Sequence, residues 1–131
     1  YSKRGILPTY FIYIGFKFYR KATPRYMNKK KIGTLKDIEK SNQFSRWIDG
    51  HDILIFKFNN SIQGISNICP HFGGPIGYHE IKFKDGEPVF TCLWHNLQYF
   101  VKTGECVTHK NLCLRKYKVE VEKDEIFVYI N

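Results

Sequence analysis

The sequence predicts an all-β fold of antiparallel strands. From residue 31 onward, short apolar runs alternate with turn-forming residues, and no window shows a sustained helical period. The pair Asp49-Gly50 predicts a hairpin, and residues 102–104 form a second predicted turn in which Gly104 is available for a left-handed conformation. Only residues 35–41 could form a short helical turn.

The predicted strands can be justified in order along the chain. The first two flank Asp49-Gly50, and the next two each lead into a pair of Cys and His residues. Towards the end of the chain, Tyr117, Val119 and Val121 alternate with charged residues, which is the period of a strand with one buried face. The predicted strands are residues 44–48, 51–58, 62–68, 88–92, 97–101, 105–108, 116–121 and 126–130.

Length and charge limit the class of protein. The 131 residues suit one domain, which is a module rather than an enzyme with a large substrate chamber. The formal net charge is +9, but residues 1–31 hold nine basic and no acidic residues, leaving 12 of each in residues 32–131. The body of the protein is therefore neutral, and only an N-terminal arm, residues 1–31, is basic.

The arm also contains many aromatic residues, concentrated in residues 6–19. It could dock on a partner subunit or an anionic membrane surface, or it could pack on the β domain as an extra strand with solvated lysines. Binding of single-stranded nucleic acid is a remote third interpretation. Its longest apolar run, residues 6–16, is shorter than the ~20 residues that cross a bilayer. We expect a cytoplasmic protein, and its association with a membrane is left open. An anchor or targeting peptide upstream of Tyr1 is also left open.

Two short motifs carry the chemistry: Cys69-Pro70-His71 and, twenty residues later, Cys92-Leu93-Trp94-His95. Thiolate and imidazole ligands suit either zinc or an iron-sulfur cluster, so ligand type leaves two candidates. Zinc fingers commonly pair Cys with Cys and His with His, whereas each loop here supplies one of each. This arrangement favours a cluster that both loops must reach.

With these motifs, residues 32–131 resemble the Rieske family, whose pattern is Cys-x-His followed by Cys-x-x-His. The resemblance implies a Rieske-like antiparallel β-sandwich with a small cluster-binding subdomain formed by two loops, and one [2Fe-2S] cluster per chain. Cys69 and Cys92 would bind the inner iron, while His71 and His95 would bind the outer iron near the surface.

The resemblance is to Rieske ferredoxins and to Rieske domains of the oxygenase-associated kind. It implies a single-electron carrier that takes electrons from a reductase and passes them to an oxygenase or similar acceptor docking near His71 and His95. We expect no separate substrate site, because no second metal site is evident in the sequence. The alternatives are a Rieske subunit of a membrane-associated redox complex and a zinc-stabilised binding module.

Residues around the motifs should tune the cluster. Gly73, Gly74 and Pro75 would form a rigid lid with amide groups aimed at sulfur, and Trp94 would shield the cluster from water. Respiratory members carry a Ser at the position of Leu97. They also carry a Tyr at the position of Tyr99, and its hydroxyl would bond a cysteine sulfur. We therefore expect a potential in the lower part of the ~ −150 to +300 mV range of such centres.

Other sequence features receive simpler interpretations. Asn96 replaces a common Gly and tolerates a left-handed conformation. Respiratory members have an extra cysteine in each loop, which this chain lacks, so we expect no disulfide between the loops. Cys106 and Cys113 are interpreted as free, partly buried thiols. The remaining histidines have no ligand-like spacing and are interpreted as surface or strand-edge residues: His51, His79 and His109.

Overall fold

The computed structural model describes residues 27–70, 73–77, 80–94 and 96–131. These residues form an all-β fold with one short helix, as predicted. The elements are β1 (Asn28–Thr34), α1 (Leu35–Glu39), β2 (Gln43–Ile48), β3 (His51–Phe58), β4 (Ser61–Ser66), β5 (Lys82–Lys84), β6 (Glu87–Thr91), β7 (Gln98–Phe100), β8 (Lys116–Tyr117), β9 (Val119–Glu122) and β10 (Glu125–Ile130).

The strands form three antiparallel sheets with the orders β2-β3-β4-β8, β9-β10-β1 and β5-β6-β7. Strand β3 supplies alternate residues to two hydrophobic cores. Ile53 and Ile55 pack with β1, α1 and β10, while Leu54 and Phe56 pack with β6, β7 and the cysteine loops. This explains the uninterrupted apolar run in β3, because both faces of the strand are buried.

The predicted hairpin around Asp49-Gly50 is confirmed. Ile48 pairs with His51 across a two-residue turn in which Asp49 and Gly50 have φ of 49° and 82°. Two consecutive residues with positive φ form the turn whose twist matches that of paired strands. The short predicted helix is confirmed as α1, whose first turn begins after Thr34.

Strand β1 is not among the strands predicted in order along the chain, and it includes the last residues of the arm. Asn28 to Lys31 pair with β10, and each lysine of this strand contacts an acidic group of the domain. Lys29 contacts Glu120 and Glu122, Lys30 contacts Asp49 and Lys31 contacts Glu125. These residues thus follow the extra-strand interpretation, with paired rather than merely solvated lysines, while residues 1–26 lie outside the described residues.

Three other strand predictions need correction. Residues 116–121 are divided between β8 and β9 in different sheets, and Val121 is 43% exposed rather than on a buried face. Residues 105–108 run beside β7, but they pair with it only through the bridge of Tyr99 with Cys106 and the hydrogen bonds that flank it, so they do not form a strand. Strand β5 was missed because Lys82–Lys84 is short and exposed.

Among the described residues, no helix has the length and apolarity to cross a membrane.

Candidate metal centre

The two cysteines of the motifs lie in loops that follow strands, as predicted. Cys69 comes three residues after the end of β4, and Cys92 directly follows β6. Their side chains belong to the same hydrophobic core, with 1% and 0% exposure. His71 and His95 lie outside the described residues, so their role as ligands stays a prediction.

The first loop closes on itself around Cys69. The Cys69 amide donates to the Gly74 carbonyl at 2.8 Å, and the Gly73 amide donates to the Cys69 carbonyl at 2.8 Å. Gly73 has φ of 82°, a conformation that favours glycine. The tight turn was predicted; the Gly73 amide is bonded to a carbonyl, and the prediction that an amide of this loop points to sulfur stays a prediction for Gly74.

Asn67 holds the base of this loop, a role that the sequence analysis did not assign. Its side-chain oxygen accepts from the Gly77 amide at 2.7 Å, and its backbone carbonyl accepts from the Ile76 amide at 2.9 Å. The side-chain nitrogen donates to Asp52 in β3 at 3.2 Å. The available signal in the sequence was a polar residue two positions before a motif cysteine. A polar side chain that is buried there is expected to hold the loop, because buried polar groups are usually satisfied by hydrogen bonds.

The second loop is a tight turn around Cys92. The Cys92 amide donates to the Leu97 carbonyl at 2.8 Å, and the Asn96 amide donates to the Cys92 carbonyl at 3.1 Å. Asn96 has φ of 56°, which confirms the predicted left-handed conformation. The loop therefore fixes the backbone on both sides of the cysteine without a glycine at position 96.

The two loops are joined by packing and a backbone hydrogen bond, and none of the four cysteines forms a disulfide. The Leu93 amide donates to the Pro75 carbonyl at 3.2 Å. A β-carbon at Gly74 would lie 2.7 Å from the Cys92 sulfur and 3.3 Å from the Trp94 ring. The missing side chain at Gly74 thus lets the first loop approach the second.

Tyr99 provides a hydrogen bond to the site from β7. Its hydroxyl lies 3.0 Å from the Cys69 sulfur, and the side chain is fully buried, which confirms the predicted contact with a cysteine. Burial is the main cause that raises the pKa of Tyr99, and the hydrogen bond to Cys69 adds to it. The hydroxyl therefore stays protonated, and it donates to Cys69 when that cysteine is a thiolate.

Trp94 lies at the surface beside the first loop. One side of its ring packs against Gly74, but 61% of the residue is exposed. The ring thus lies on the outer side of the loops, and its predicted shielding role stays a prediction. The sequence could not show this, because an aromatic residue between two motif residues can point either inwards or outwards.

The remaining candidates lie in ordinary surroundings. Cys106 is buried in the same core as Cys69, whereas Cys113 is exposed rather than partly buried. His51 is half-buried and contacts the Tyr117 hydroxyl at 3.0 Å, and His109 contacts the Thr108 hydroxyl at 2.8 Å. The third of these histidines, His79, lies outside the described residues.

The described part of the site fits a group held by sulfur ligands. Two buried cysteines that form no disulfide lie on two adjacent loops, glycine provides the space between them, and a protonated hydroxyl contacts one sulfur. Soft thiolates bind iron-sulfur clusters or zinc, so the geometry alone does not choose between them.

Comparison with known families makes that choice. The model of the Rieske [2Fe-2S] domain family matches residues 28–118. The chain belongs to the Rieske family. Its cofactor is accordingly a Rieske-type [2Fe-2S] cluster rather than a zinc ion, and it is an iron-sulfur protein of the electron-transfer class.

Individual relatives agree with this membership. The chain is 30% identical over 74 residues to a human Rieske domain-containing protein, covering 56% of this chain and 47% of the relative. It is 26% identical over 78 residues to the ferredoxin component of the alkene monooxygenase system of Xanthobacter autotrophicus. This match covers 60% of this chain and 62% of the relative. The chain thus spans less than two thirds of the length of either curated relative.

A solved structure shares the fold. The ferredoxin of carbazole 1,9a-dioxygenase from Nocardioides aromaticivorans superposes with a TM-score of 0.61, at 24% identity, covering 76% of this chain and 96% of the ferredoxin. At this identity the likeness supports the β architecture alone.

Proposed function

We propose that this Rieske protein is a single-electron carrier that receives electrons from a reductase and passes them to an oxygenase or a similar acceptor. The observation that carries the proposal is the pair of buried cysteines on two packed loops, one of them bonded to Tyr99. The relative in an alkene monooxygenase system is a ferredoxin component, which supports a carrier role.

We further propose how the chain holds the cluster. Cys69 and Cys92 would bind the inner iron, and His71 and His95 would bind the outer iron near the surface. A bound cluster supplies the chemistry by accepting and releasing one electron at a time. The acceptor and the reductase would approach the loops that carry the two histidines.

The described residues would tune the reduction potential of the cluster. The Tyr99 hydroxyl donates to the Cys69 sulfur, and such hydrogen bonds favour the reduced, more negative state. Leu97 offers no side-chain donor where respiratory members have a Ser. One donor rather than two supports a potential in the lower part of the Rieske range, and a strongly positive value in a redox titration would contradict this.

The ligand proposal can be tested on the purified full-length protein. We expect two irons and two sulfides per chain, a red-brown colour and an EPR signal on reduction typical of mixed Cys and His ligation. Cys92→Ser and His95→Ala should lose the cluster, whereas Cys113→Ser, which changes an exposed free thiol, should keep it. Full iron content in Cys92→Ser would contradict the ligand set.

The carrier role needs a separate experiment. The holoprotein, a reductase and an oxygenase from the same organism would be combined, and oxygen consumption coupled to product formation would be measured. We expect turnover to require the holoprotein. Equal turnover with the cluster-free Cys92→Ser variant would overturn the carrier role without affecting the cofactor.

A further inference from the structure

The loop that carries Cys69 lies between two separate β-sheets. Strands β2, β3 and β4 before the loop belong to one sheet, and β5, β6 and β7 after it belong to another. The chain leaves the first sheet at Asn67, whose amide donates to the Asp52 carbonyl in β3 at 2.8 Å. It contacts that sheet again at Gly77, where a β-carbon would lie 2.7 Å from Leu54 of β3. The seating of the loop on the first sheet therefore depends on how Gly77 is held.

Side chains of the first sheet bind both polar groups of the Gly77 backbone. The Asn67 side-chain oxygen accepts from the Gly77 amide at 2.7 Å, and the side-chain nitrogen of Gln43 in β2 donates to the Gly77 carbonyl at 2.7 Å. Gln43 pairs with Phe56, whose side chain lies in the core that also contains Cys69. Directly paired residues share one face of a sheet, so Gln43 reaches Gly77 from the face on which the loop packs.

Asp52 fixes the orientation of the Asn67 side-chain amide. Its carboxylate accepts from the Asn67 side-chain nitrogen at 3.2 Å. Hydrogen bonds therefore run in one direction, from the Gly77 amide through the Asn67 side chain to the Asp52 carboxylate. Asn67 is only 7% exposed, so a reversed amide would set donor against donor and acceptor against acceptor where little water can intervene.

We propose that Gln43, Asp52 and Asn67, here named the loop clamp, are positioning residues that keep the loop bearing Cys69 in the geometry that the cluster needs. The inference rests on the proposed ligand role of Cys69. The loop clamp acts on the end of the loop, at Gly77, and not on the sulfur itself. Residues that hold metal ligands in place commonly change metal affinity by about 10- to 100-fold when they are replaced.

The direction of the hydrogen bonds distinguishes the loop clamp from ordinary packing. Asn67→Asp keeps the size of the side chain and an acceptor for the Gly77 amide, but it places a second carboxylate opposite Asp52. Repulsion between the two carboxylates should loosen the loop. Adding Asp52→Asn reverses the polarity of the pair, because the amide introduced at position 52 donates to the carboxylate introduced at position 67. The net charge of this double variant equals that of the wild type.

Release of the cluster from the full-length holoprotein tests this reversal. The oxidised protein is mixed with excess EDTA at pH 7, and the visible absorbance of the cluster is followed. We expect Asn67→Asp to release the cluster about 10-fold faster than the wild type. Asp52→Asn keeps an acceptor for Asn67 and should be less than about 3-fold faster. The double variant should return to within about 3-fold of the wild type, since the two substitutions compensate each other.

Two further comparisons extend the test. If Asn67→Asp is purified without its cluster, iron content replaces the release rate, and the double variant should recover most of the iron. Gln43→Leu removes the donor to the Gly77 carbonyl, and we expect it to accelerate release by about 2- to 5-fold. This effect is smaller because the bond is only partly buried and water can replace it.

EPR spectra of the reduced protein separate positioning of the ligands from a general loss of stability. A displaced loop changes the geometry of the iron ligands, so the g values should shift in Asn67→Asp and return to the wild-type values in the double variant. The matched control is Tyr117→Phe. The Tyr117 hydroxyl lies 3.0 Å from His51, which is next to Asp52 on β3, but the Tyr117 side chain belongs to the other core. Its replacement should leave the g values and the release rate unchanged.

The outcomes separate the loop clamp from the proposed function. The loop clamp would be overturned by a wild-type release rate in Asn67→Asp, by a double variant that is as fast as Asn67→Asp, or by equal effects of Tyr117→Phe and Asn67→Asp. A wild-type protein without the iron-sulfur EPR signal would instead overturn the proposed function.

Discussion

Gly74 lies so close to Cys92 that a β-carbon at position 74 would be 2.7 Å from the Cys92 sulfur. The limit there is space, because nothing in the backbone conformation of Gly74 excludes a side chain. We predict that Gly74→Ala separates the two loops and lowers cluster occupancy to less than about half, since atoms in packed regions cannot yield by this distance. Iron content and visible absorbance of the purified variant measure the effect.

Gly73 is the matched control for this prediction. It has φ of 82°, but a β-carbon there would meet no atom within 4 Å. Asn tolerates this left-handed conformation better than other non-glycine residues, so Gly73→Asn should keep most of the cluster. Equal losses in the two variants would show that the loop is sensitive to any substitution and that the contact with Cys92 is not the cause.

The hydrogen bond from Tyr99 to Cys69 should raise the potential of the cluster. Tyr99→Phe removes the donor, which we expect to lower the midpoint potential by about 40 mV, equivalent to about 1 kcal/mol for one electron. Leu97→Ser should shift the potential upwards if the new hydroxyl reaches a sulfur. Redox titration followed by EPR measures both shifts.

Tyr129→Phe is a suitable control for the tyrosine substitution, because the Tyr129 hydroxyl bonds Glu120, in a different sheet. It should leave the potential within about 10 mV of the wild type. A Tyr99→Phe potential equal to or above that of the wild type would contradict the tuning role.

The ion pairs of β1 predict a loss of stability in acid. Burial acts to raise the pKa of Glu120, but hydrogen bonds from Tyr129 and Lys29 outweigh it and lower the pKa below its ordinary value of 4.5. Ionised Glu120 therefore stabilises the fold above pH 4.5, and this contribution is lost as pH falls through the lowered pKa. Glu120→Gln should remove this part of the acid dependence.

Urea unfolding at pH 7 and pH 3 measures this effect. We expect the free energy of unfolding of Glu120→Gln to be about 0.5 kcal/mol lower than the wild type at pH 7 and to differ less at pH 3, since the pair is partly exposed. The control is Glu39→Gln, on the exposed side of α1. Its free energy of unfolding should equal that of the wild type at both pH values. If the free energies of unfolding of Glu120→Gln and the wild type differed by the same amount at pH 7 and pH 3, the proposed pH dependence would be disproved.

Thr91 offers a way to stabilise the protein. Its hydroxyl is buried and has no hydrogen-bond partner among the described residues. Thr91→Val removes this polar atom with little change of shape, so we expect the free energy of unfolding to rise by about 1 kcal/mol. Denaturant unfolding of the holoprotein, with iron content checked, measures the gain.

The control for Thr91 is Thr103→Val, since the Thr103 hydroxyl accepts from the Glu105 amide at 3.2 Å. Loss of that bond should destabilise the protein or leave it unchanged. A Thr91→Val protein that is less stable than the wild type would show that the hydroxyl has a bonding partner in solution.

The fold could be predicted where the signals were local. The Asp49-Gly50 turn, the apolar run of β3 and the short helix after Thr34 depend on residues near one another in the chain. Strand β1 could not be predicted in this way, because its lysines show no alternating pattern, and Lys29 and Lys31 contact acidic residues more than ninety positions away in the chain.

The sequence by itself determined the family, the cofactor and the place of Cys69 and Cys92 at the ends of strands. These follow from residue type and spacing, which a cluster constrains directly. Only the tertiary structure decided that the cysteine bonded by Tyr99 is Cys69, that Gly74 packs on Cys92 and that Trp94 faces outwards. Each of these depends on how separate loops approach one another, and packing between distant segments leaves no periodic pattern in the sequence.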